Sequence, residues 1–80
     1  MRKKVSKLVI SFKSNLAAMA LESLINADLG RIIPLPVKIS AGCGLAFCAN
    51  PQDEKKIIEL MVENNIEYNG IHAVEVYESP

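Results

Sequence analysis

Apolar and polar positions alternate from Val5 to Phe12. Leu8, Ile10 and Phe12 fall on one side, and Val9 and Ser11 on the other. That period of two predicts a first strand. Ser14 is a good helix N-cap. From about Asn15 to Ala27 the period changes: Leu16, Ala17, Ala20, Leu21, Leu24 and Ala27 recur on one face, with Glu22 and Asn26 on the other. This predicts an amphipathic helix, ended at Asp28-Leu29-Gly30 by a glycine able to take a left-handed conformation. Arg31 to Ile39 reads as a second strand, with Ile33, Leu35, Val37 and Ile39 sharing a parity. Pro34 and Pro36 cannot donate to a ladder, so this strand belongs at a sheet edge. After the tight Ser40-Ala41-Gly42-Cys43-Gly44 connection comes a short strand, Leu45 to Ala49. Asn50-Pro51 is a strong helix start, and Asp53 and Glu54 suit the positive end of that helix. Its expected buried face is Ile57, Ile58, Met61 and Val62, and Asn64-Asn65 is expected to loosen its end. Asn69-Gly70 signals a turn before the last strand, Ile71 to Tyr77.

The order is β-α-β-β-α-β. Its simplest compact solution is an α+β, ferredoxin-like sandwich: four antiparallel strands in the order 4-1-3-2 with both helices on one face. ACT domains and heavy-metal-binding domains share this outline, so the outline alone selects no function.

Composition narrows the picture. Eighty residues make a single domain, residues 1–80, with residues 1–4 read as a disordered basic tail (Arg2, Lys3, Lys4). Half the residues are apolar, which excludes a disordered chain. Charges or prolines break every apolar run well short of a membrane span. Nine basic groups balance nine acidic ones, which argues against a nucleic-acid binder. Residues 1–40 carry seven of the basic groups and residues 41–80 seven of the acidic ones. This is a solvated surface or, on a sharper reading, a pair of complementary faces that favour self-association into a homo-oligomer. Leu8 to Phe12 is too short for a signal peptide and has Lys13 after it, so the expected location is cytoplasmic. Two cysteines are too few for a disulfide scaffold.

Chemistry concentrates at Gly42-Cys43-Gly44. A cysteine between two glycines packs poorly into a core. The glycines permit close approach of a partner and leave backbone N–H groups to face a sulfur anion. In the expected topology the hairpin between the second and third strands lies beside the end of the first strand. Cys43 then falls near Lys13, Ser14 and the positive N-terminus of the first helix, with Lys38 at the same level. A helix N-terminus and a nearby lysine both favour a thiolate. Cys48 lies about 16 Å further along an extended strand, too far for an internal bridge, and reads as a small buried hydrophobe. His72, the single histidine, reads as a surface or core-edge residue at the same end as Cys43 but two strands away. Met19 and Met61 read as packing residues. No Cys-x-x-Cys spacing supports a metal, and no phosphate-binding glycine loop is present.

The run Leu8-Val9-Ile10-Ser11-Phe12, the following small helix and above all Ile39-Ser40-Ala41-Gly42-Cys43-Gly44-Leu45-Ala46 resemble a family of short bacterial proteins, a domain of unknown function described as putative Se/S carrier protein-like. The resemblance covers roughly Val5 to Tyr77. It implies that Cys43 carries sulfur or selenium as a persulfide or selenosulfide. On the residue-level reading Gly42, Gly44, Lys13 and Ser14 support that thiol, the expected partners are donor and acceptor proteins, and no cofactor is expected. The alternative is an ACT-like ligand-binding or oligomerising module in which Cys43 is incidental. A thiol enzyme ranks below both, because it needs a base and a pocket that the sequence does not place.

Overall fold

The computed structural model describes residues 4–25, 29–35 and 44–77. Its elements are β1 (Lys4–Ser11), α1 (Asn15–Leu24), β2 (Gly30–Pro34), β3 (Leu45–Ala49), α2 (Glu54–Glu63), preceded by a 3-10 turn (Pro51–Asp53), and β4 (Gly70–Tyr77). The four strands form one sheet in the order β2-β3-β1-β4, and every neighbouring pair is antiparallel. This is the sheet order that the element pattern predicts, in an α+β chain with two helices. β1 takes in Lys4, which the sequence assigns to the basic tail. Residues 1–3, the expected helix end at Ala27 and Asp28, and the second-strand positions Pro36 to Ile39 lie outside the described residues.

The alternation in β1 places its side chains on two faces. Leu8 and Ile10 stand opposite Ala49 and Phe47 of β3. With Phe12 these residues join Ala18 and Leu21 of α1, and Ile57 and Met61 of α2, in one buried cluster. Both helices therefore contribute to the core on the same face of the sheet. Pro34 sits in edge strand β2, as its missing N–H requires. The Leu35 N–H donates to the Gly44 carbonyl at 2.8 Å. The adjacent Pro34–Leu45 pair is then of the non-hydrogen-bonded kind, and the proline nitrogen costs the ladder nothing.

The helices differ from expectation in rotation and in their ends. α1 buries Ala18 and Leu21 and half-buries Ala17 and Ile25, while Leu16 is 78% exposed and Ala20 and Leu24 also face water. Met19 is exposed rather than packed, whereas Met61 is buried. The sequence window fits a stripe centred one residue away because alanines weight both faces. α1 stops at Ile25, which is extended, and Gly30 is no helix cap: it is the first residue of β2, opposite Ala49. In α2, Val62 is 68% exposed and Ile66 takes its expected place in the core. The Asn64-Asn65 end is tight, not loose. Asn65 is left-handed (φ 55°), Ile66 N–H donates to Met61 O at 2.8 Å and Asn65 N–H to Val62 O at 3.3 Å. This is a Schellman cap, closed by the apolar pair Met61 and Ile66. No helix among the described residues is long and apolar enough to cross a membrane.

Candidate functional site

Gly42 and Cys43 lie outside the described residues, as do Lys38 and Ser40. The residues that bracket them are described. Leu35 and Gly44 are joined by the hydrogen bond that closes the two strand ends. Ser11, the last residue of β1, pairs with Ala46, so Gly44 stands two positions beyond it. That is the end of the sheet from which Lys13 and Ser14 lead into α1. Gly44 is exposed, and a side chain there would meet nothing within 4 Å.

The start of α1 is electropositive by construction. Ser14 is extended and its Oγ accepts from the Ala17 N–H at 3.3 Å, satisfying one of the free first-turn donors. The first turn carries no acidic residue to neutralise the others, and Lys13 is exposed directly before it. Of the sequence-predicted site residues, Gly44, Lys13 and Ser14 thus come to one end of the sheet.

His72 is half-buried on β4, opposite Val9, on the far side of β1 from β3. Its Nε2 lies 3.3 Å from Ser11 Oγ. Ser11 itself is fully buried, and its hydroxyl also contacts the Gly70 carbonyl and Asn69 Nδ2, each at 3.3 Å. The Asn69 N–H donates to Ser11 O at 2.7 Å. The histidine is thereby tied into a polar knot that fastens the start of β4 to the end of β1. The alternation places Ser11 with Val9 on the second side of β1; the turn at Asn69 and the start of β4 give it its partners.

Cys48 departs from expectation. It is half-buried and shares the face of Val9 and Arg31, opposite the helices, rather than belonging to the core. Asn50 does not cap the following turn with its side chain; its Oδ1 accepts from Lys7 Nζ at 2.8 Å. Sequence reasoning missed this grouping of Lys7, Arg31, Cys48 and Asn50. Strand parity was the available signal, but it becomes a grouping only once the register of three strands is fixed.

The described residues form a small α+β fold in which Gly44 and the start of α1 lie at the same end of the sheet. The chain belongs to the family described as putative Se/S carrier protein-like, which matches residues 7–73. No curated protein matches the chain, and no solved structure does.

Proposed function

We propose that the chain is a sulfur or selenium carrier with Cys43 as its carrying group, built on a ferredoxin-like sandwich. The observation that carries the reading is the strand register. It brings Gly44 to the end of the sheet where α1 begins, which supports the reading that the neighbouring Cys43 thiolate gains from the helix dipole and from Lys13. Membership of the family supports the choice of cargo. The step is an exchange. The Cys43 thiolate attacks the terminal sulfur or selenium of a donor protein persulfide or selenosulfide. A bond forms from Cys43 Sγ to that atom, the donor's bond to it breaks, and the electron pair leaves on the donor thiolate. An acceptor thiolate removes the atom by the same exchange. Gly42 and Gly44 leave the backbone narrow on both sides of the thiol, which suits contact between two proteins. The setting this chemistry requires is a reducing one, such as the cytoplasm.

The test is intact mass after incubation with a persulfide or selenosulfide donor. The wild type gains one sulfur or selenium atom, Cys48→Ser gains the same, and Cys43→Ser gains none. Equal gain by Cys43→Ser, or no gain by the wild type, overturns the reading. At neutral pH Cys43 is alkylated faster than Cys48, and Lys13→Glu narrows the difference.

A further inference from the structure

The face of the sheet opposite the helices carries a polar pocket of about 300 Å³, to which Lys7, Arg31, Cys48 and Asn50 contribute together with Leu29 and Gly30. Three strands build it. Arg31 pairs with Cys48 across β2 and β3, Cys48 pairs with Val9 across β3 and β1, and Lys7 lies one step along the same face of β1. The Lys7 ammonium is held in place by Asn50 Oδ1 at 2.8 Å. That bond is accepted by the amide oxygen of Asn50, so the two N–H donors of its side chain are not part of it. Arg31 is exposed, and its guanidinium forms no hydrogen bond or ion pair with the described residues. No carboxylate is among the described residues that line the pocket. What remains is a guanidinium, an ammonium and an amide NH₂: donors and positive charge, with a thiol among them. The volume is at the small end of the range for organic ligands.

We propose that this pocket binds small carboxylate-bearing disulfides and that Cys48 exchanges with them, making it a second, separately addressed thiol. The carboxylate sits against Arg31 and Lys7, which a planar guanidinium and a fixed ammonium favour. The Cys48 thiolate attacks the nearer sulfur of the bound disulfide. A bond forms from Cys48 Sγ to that sulfur, the ligand's S–S bond breaks, and the electron pair leaves on the released thiolate. Reversal by a free thiol restores Cys48. Nothing in this step passes through Cys43.

The experiment uses the full chain as Cys43→Ser, so that Cys48 is the only thiol. The probes are dithiodipropionate, which is anionic, and hydroxyethyl disulfide, which is neutral. Rates of mixed-disulfide formation are followed by mass, and their ratio is normalised to the ratio for the same chain in urea. The folded chain favours the anionic probe, by about fivefold for each cation in close contact, and added salt erodes the preference. Arg31→Gln with Lys7→Gln abolishes it while circular dichroism and thermal unfolding show the fold retained. Arg31→Gln alone, a change at an exposed position, gives an intermediate ratio and keeps the test valid if the double variant unfolds. A normalised ratio near unity in the parent, or one that survives loss of both cations, overturns the proposal. Because Cys43 is absent throughout, neither result bears on the carrier reading.

Discussion

Residue 30 shows how closely β2 approaches β3. Gly30 is extended, and a Cβ built on it would lie 2.5 Å from the Cys48 carbonyl oxygen and 2.5 Å from Cε2 of the buried Phe47 ring. Neither atom is at the end of a flexible side chain. Gly30→Ala therefore forces edge strand and core apart, and urea denaturation is expected to register a loss of roughly 1–3 kcal/mol. An unchanged midpoint would mean that β2 moves away without penalty. Ser11 and Cys48 teach a related lesson. Each stands on the sheet face opposite the helices, yet one is fully buried in a polar knot and the other shares a pocket with two cations. A period of two assigns faces; it does not say what the rest of the chain brings to each face.

At the scale of elements, the ends are set by hydrogen bonding more than by propensity. α2 is closed by two bonds and a left-handed asparagine. Asn65→Gly is expected to hold or raise the melting temperature, whereas Asn65→Val is expected to cost about 1–2 kcal/mol, because a branched side chain is disfavoured in that conformation. Equal stabilities for the two variants would argue against the cap. The strand limits of β3, the edge position of β2 and the start of α1 at Ser14 were all legible in the chain, since alternation, proline and a capping serine each act locally. The rotation of α1 was not. Six of its ten residues are alanine or leucine at positions that serve two adjacent stripes, and only the docking of the helix on Ile10, Phe12 and Phe47 chooses between them.

At the scale of the whole molecule, a small domain has little core to spare. Met61 sits within the cluster shared by the sheet and both helices, and its neighbour Val62 does not. Met61→Ala is expected to cost about 2–5 kcal/mol and Val62→Ala to stay within about 0.5 kcal/mol; comparable losses would place the helix face differently. The chain by itself determined the number, type and order of the elements, the edge strand and the candidate thiol, because each depends on the periodicity or steric demands of neighbouring residues. The tertiary structure alone decided which apolar residues are exposed, gave Ser11 its partners and gathered Lys7, Arg31, Cys48 and Asn50 into one pocket. Those outcomes depend on register between strands distant in sequence, and no local preference encodes that register.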